Sequence, residues 1–198
     1  MSNKIIITNI YFYYFYFLNR ERYLSSKTLA KYFEKDTFIP CHQLSNHVAK
    51  YQSIRVGVRP SNNWATIGII DRSIDTPNKV LVLRMTNMRS NHYYIFLVGK
   101  AYEHCKEKKV KVGTILGITN PTLLRPTTVG ATVGLSAKYL NQLWVIGESL
   151  DICRCRASLL KDKQCTVMID RRSGEYCDSH IASICNLSKN GRMELASG

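Results

Sequence analysis

Residues 153–180, CRCRASLLKDKQCTVMIDRRSGEYCDSH, hold four cysteines and one histidine, where a tetrahedral metal needs four ligands. Two residues lie between Cys177 and His180, the separation of a metal knuckle in which two ligands on one tight turn face the same ion. Cys165 lies twelve residues before Cys177. The fourth ligand is Cys153, Cys155 or, by folding back, Cys185, and spacing alone does not choose among them. Four protein ligands close the coordination sphere, so the chemistry is that of a structural metal; a catalytic metal keeps one position open. The gaps of nine and eleven residues are not those of common fingers, and the competing reading is a set of reduced, buried thiols beside an unrelated histidine.

No catalytic constellation accompanies these residues. Ser149 with Asp151 lacks a positioned histidine, no glycine-rich phosphate loop is present, and the carboxylates are scattered, so the chain is expected not to be an enzyme. Its 28 Lys and Arg against 14 Asp and Glu give a formal charge of +14, which calls for an anionic partner such as nucleic acid. Residues 55–150 carry thirteen basic and five acidic side chains, whereas residues 151–198 carry eight and six. Three thiolates, a neutral histidine and a divalent ion would add about −1 to the latter. The main electrostatic footprint is therefore expected upstream of the cysteines. Seven cysteines, five of them after residue 152 and Cys41 and Cys105 alone, suit a reducing compartment better than a disulfide framework.

The elements that must position these groups follow from period and punctuation. Residues 5–18, IIITNIYFYYFYFL, mimic a signal-peptide hydrophobic region but are too short to cross a bilayer and lack a clear cleavage site. They are assigned to a low-complexity tail at 1–23, and no membrane partner is expected. Residues 24–58 read as a helical and coil arm, with Ser25 and Ser26 as N-caps and Leu29, Tyr32 and Phe33 at helical spacing. Strands are expected at 63–71, 79–87 and 92–99, a helix at 101–109, and strand regions at 112–124 and 131–147, the last broken near Ala137. Three strands, a helix and two strands is the order of a five-stranded OB-fold barrel, here at 59–147. A cysteine module at 148–184, packed on the barrel, and a tail at 185–198 complete the expected mainly-β architecture.

With these residues in place, IGESLDICRCRASLLKDKQCTVMIDRRSGEYCDSH resembles the Gly-x-Ser-x-Asp lead-in and the Cys, Cys, Cys, His zinc finger of the eukaryotic replication factor minichromosome maintenance protein ten. NWATIGII, YIFLVGKAYEH, KVGTILGITNPTLL and LWVIG are similar to that family's OB barrel in the same order, so the likeness spans about residues 37–184. In the family register Cys153 falls on a glycine, and the resemblance implies one structural Zn2+ held by Cys155, Cys165, Cys177 and His180. Strand regions 72–91 and 125–138 are shorter than the family's, and its N-terminal coiled coil and C-terminal zinc region have no counterpart here. The resemblance implies a nuclear, non-enzymatic scaffold. It would bind single- and double-stranded DNA and link the replicative helicase to DNA polymerase alpha-primase, with the sliding clamp as a further partner.

The bottom-up reading names the same ligand class. In His92–Val98, Tyr93, Ile95 and Leu97 share one face and Tyr94 and Phe96 the other. The aliphatic face is expected in the core, which leaves Tyr94 and Phe96 to stack on bases; the family's third-strand phenylalanine matches Phe96. Arg84, Arg89 and Lys100 flank these strands as phosphate contacts, and Arg154, Arg156, Lys161, Lys163, Arg171 and Arg172 are the candidates on the finger. Two other functions fit the composition: a zinc-containing OB-fold RNA-binding protein, and a secreted disulfide protein led by a signal peptide.

Overall fold

The computed structural model describes residues 21–25, 27–28, 31, 36–44, 46–47, 63–88, 92–124, 134–158 and 163–194. It divides into two units, up to Leu150 and from Asp151 onward. The chain is mainly β.

In the first unit the three expected strands are β3 (Trp64–Asp75), β4 (Leu81–Thr86) and β5 (His92–Leu97), joined as an antiparallel meander, and helix α1 (Gly99–Glu107) follows. β3 is long because it serves two neighbours. Ala65–Ile69 pair with β6 (Thr114–Thr119), while Ile69–Asp75 pair with β4 across a register shift that leaves Asp71 as an extra residue. Such a bulge bends the strand and raises its local twist, as a closing sheet requires.

The sheet has nine strands among the described residues, not five. Part of the excess comes from two expected strand regions that each break in two. The first divides at Asn120, whose φ of 45° ends β6 before β7 (Thr122–Leu124). The second divides after Ala137 into β8 (Gly134–Ala137) and β9 (Leu143–Glu148), close to the break read from the sequence. β8 pairs parallel with β5 and β9 antiparallel with β6, so the two halves of one bent strand close the barrel. Buried Gln142 holds the corner. Its Oε1 accepts from the backbone N–H of Lys138 and Tyr139 at 2.9 and 3.0 Å, and its Nε2 donates to the Asn120 carbonyl at 2.7 Å. Buried amides of this kind persist only when their partners are all met.

The segments before the barrel supply the other two strands. β1 (Glu21–Arg22) pairs with β9, inside the segment assigned to the tail, and β2 (Thr37–Phe38) pairs with the start of β3. The Thr28 backbone N–H donates to Ser25 Oγ at 3.1 Å, the capping bond expected of Ser25; Ser26, Leu29, Tyr32 and Phe33 lie outside the described residues. Cys41 and Leu44 are fully buried with Trp64, Leu83, Ile95, Leu97 and Leu135, so the arm completes the barrel core. Each such aliphatic side chain contributes about 1.5–3 kcal/mol.

The second unit holds a two-stranded ladder, β10 (Ile152–Arg154) against β11 (Met168–Asp170), and helix α2 (Asp178–Glu194). The helix continues through the boundary expected at 184. No helix among the described residues is long and apolar enough to cross a membrane; residues 5–18 lie outside them.

Candidate metal centre and nucleic-acid face

The short ladder sets the metal-ligating side chains. Cys153 stands within it, opposite Ile169, whereas Cys155 lies just past its end, where the Cys155 N–H donates to the Val167 carbonyl at 2.9 Å. The Cys165 N–H donates to Ala157 at 2.9 Å, and the next turn is fastened by Asp170, which caps Arg172 N–H at 3.0 Å. Arg172 is in turn held between Asp170 Oδ2 at 2.9 Å and Asp151 Oδ2 at 3.3 Å. The lead-in aspartate therefore braces the module. Cys177 directly precedes α2 and His180 lies on its first turn, with the His180 N–H donating to the Cys177 carbonyl at 2.9 Å.

These constraints bring one ligand atom each from Cys155, Cys165, Cys177 and His180 within 4.8 Å of one another. His180 Nδ1 lies 3.5 Å from Cys155 Sγ and 3.1 Å from Cys177 Sγ. A tetrahedral zinc with bonds of about 2.3 Å to sulfur and 2.0–2.1 Å to nitrogen requires edges of roughly 3.6–3.8 Å, so a modest adjustment admits the ion. The three sulfurs are buried. Cys153, half-buried, packs against the cluster without joining it, and Cys185 is exposed on α2. Burial pushes the Cys155 thiol up, but hydrogen bonds from the Ala157 and Cys177 backbone, with the Cys177 and His180 side chains, outweigh it and bring it down to about 7. Burial is also the main cause that holds Cys177 above the usual thiol range. The donor set, soft and closed, can hold one metal ion.

On the barrel, the alternation in β5 is as the pattern required: Tyr93, Ile95 and Leu97 are buried, Tyr94 and Phe96 half-buried on the outer face. Register extends that face across neighbouring strands. Arg72, Arg84, Tyr94, Gly134 and Leu124 form one row, and Ile74, Val82, Phe96, Ser136 and Thr122 the next. A Cβ at Gly134 would lie 3.1 Å from Phe96 Cε2, so glycine lets the ring lie against β8. Strand alternation in β4 could have revealed Val82. Gly134, Ser136 and Thr122 join the face only through the parallel β5–β8 pairing, which no local signal announces.

The charged candidates divide. Lys100, near the start of α1, and Arg154 and Lys163 are exposed; Arg89 and Lys161 lie outside the described residues. Arg84 is not free: its Nε and Nη2 donate to Asp71 Oδ1 and Oδ2 at 2.7 and 2.8 Å, and Asp71 chiefly holds the guanidinium above its usual range. Arg156 pairs with Glu175, and Arg172 is the brace described above. Arg171 is exposed, and its backbone N–H donates to the Asp151 carbonyl at 2.7 Å.

Fold and site together define an OB barrel followed by a Cys, Cys, Cys, His module. The family model described as the MCM10 OB-fold matches residues 17–144, and the chain belongs to that family. The human Protein MCM10 homolog is 26% identical over 142 residues, covering 68% of this chain and 16% of its own length. The DNA replication licensing factor mcm10 of Schizosaccharomyces pombe is 26% identical over 186 residues, covering 89% of this chain and 30% of its own. The chain thus spans less than a third of these relatives.

Proposed function

We propose that this chain is the DNA-binding part of a nuclear replication scaffold and performs no catalysis itself. A single strand would cross the outer face of β4, β5 and β8 with bases against Tyr94 and Phe96, each stack contributing about 1–3 kcal/mol. Lys100 on the barrel would neutralise phosphates, and Arg154 and Lys163 would do so on the module taken by itself, a contribution that falls with salt. Double-stranded DNA, lacking free base faces, would be held through phosphates alone. Cys155, Cys165, Cys177 and His180 would hold one zinc, which supplies folding energy to the module rather than chemistry. The replicative helicase, DNA polymerase alpha-primase and the sliding clamp are the protein partners this reading carries over from the family.

The observation that carries the reading is the pair of half-buried rings on the outer face of a barrel that belongs to the MCM10 OB-fold family. Fluorescence anisotropy with a labelled oligodeoxythymidine tests it: binding should be saturable, weaken with salt, and drop on Phe96→Ala. No binding at low salt refutes it, and a strong preference for the matched RNA strand in competition would favour an RNA-binding protein instead.

A further inference from the structure

Asp71 is absent from any sequence motif, yet it occupies a built position. It is the bulge residue of β3, inserted where Arg72 comes to pair with Arg84 of β4. Its carboxylate takes both forked N–H groups of Arg84, and the two side chains are 6% and 17% exposed. Arg84 is directly opposite Tyr94. The pair therefore lies in the row of side chains that a bound strand would cross, with its charge cancelled internally.

We infer that Asp71 is a positioning residue of this face: by holding Arg84 in a bidentate pair it withdraws the guanidinium from phosphate and leaves single strands to be gripped through Tyr94 and Phe96. The inference rests on the nucleic-acid reading above. For a phosphate to recruit Arg84 it must displace a carboxylate already matched to the fork, leaving that carboxylate buried and unpaired beside another anion. Asp71 also repels an approaching backbone. The face is thus tuned toward stacking and away from counterion release, and Arg72, exposed opposite Arg84, is the cation that remains beside it.

The test is the salt dependence of anisotropy-measured binding of the whole chain to labelled oligodeoxythymidine between 50 and 200 mM NaCl. Each phosphate contact on a single strand adds about 0.7 to the slope of log K against log salt, or about 2.6-fold over that range. Asp71→Asn/Arg84→Gln, a neutral pair able to hydrogen-bond internally, removes both charges together and should leave the slope unchanged. Asp71→Asn should tighten low-salt binding and steepen the slope by about 0.7 as Arg84 is released. A shallower slope in the double variant, or none of the steepening in Asp71→Asn, overturns the inference; should Asp71→Asn fail to fold, the double variant's slope decides. Phe96→Ala separates the two levels. If it binds as tightly as wild type, the face itself is wrong; if it weakens binding at every salt while the double variant flattens the slope, only the role of Asp71 falls.

Discussion

Removing the metal should unfold the second unit and leave the barrel standing. Among the described residues from Asp151 onward, the buried apolar set is Cys155, Cys165, Cys177 and Ile169, and three of these four belong to the cluster that could hold a metal ion. Burying Ile169 contributes about 1.5–3 kcal/mol, whereas ordering each residue costs about 1–2 kcal/mol. A structural zinc contributes about 10–16 kcal/mol of apparent binding energy near pH 7, so on the proposed reading the ion would supply most of what holds the ladder against the helix. The barrel has its own core of fully buried side chains from the arm, β3, β4, β5 and β8. Hydrogen exchange read by mass spectrometry checks this. With a chelator, or in Cys165→Ser, peptides from 152–180 should exchange at unfolded rates while those from 64–148 keep their protection. Metal content should fall to zero in Cys155→Ser and stay at one zinc per chain in Cys153→Ser. Persistent protection of the module without metal would refute the reasoning, and the opposite response of the two cysteine variants would overturn the ligand assignment.

Phe96→Ala should weaken single-strand binding about 5- to 150-fold, the loss of one stack, with calorimetry as the control that the variant is still folded at the binding temperature. Gln142→Leu removes the acceptor of the Lys138 and Tyr139 N–H groups and should cost roughly 1–3 kcal/mol in urea unfolding, at about 0.5–1.5 kcal/mol per lost hydrogen bond; no measurable loss would show that the barrel corner does not need it. Burial pushes the Cys41 and Cys105 thiols up to about 12 from 9.0. The unfolded chain then loses these protons first, so their contribution is complete below pH 9 and lost as pH rises toward 12, at about 1.4 kcal/mol per pH unit for each thiol. Urea midpoints measured from pH 8 to 11 should fall less steeply in Cys41→Ala/Cys105→Ala than in wild type, and an equal slope would refute the assignment.

Much of the barrel was legible in local pattern. The period-2 alternation of β5 sorted Tyr93, Ile95 and Leu97 from Tyr94 and Phe96, because a strand puts successive side chains on opposite faces whatever its partners. The break after Ala137 and the Ser25 cap were readable for the same local reason. Strand number was not: β1, in the expected tail, and β2, in the arm, exist only because they find β9 and β3 to pair with, and no short-range signal encodes a partner distant in sequence.

At the candidate metal centre, residue types and the Cys177 to His180 spacing pointed to the cluster that the fold brings together, since a knuckle is a single turn of chain. Spacing alone left Cys153 and Cys155 equivalent and only the family register favoured Cys155; the ladder gives the physical reason, since the strand pairing keeps Cys153 opposite Ile169 and frees Cys155 to approach Cys177. On the barrel the charge of Arg84 was visible in the sequence, but whether that charge is available was decided by a bulge that sets Asp71 beside it. Charge is a property of one side chain, whereas its availability depends on which neighbours the fold delivers, and that is where tertiary structure alone decides.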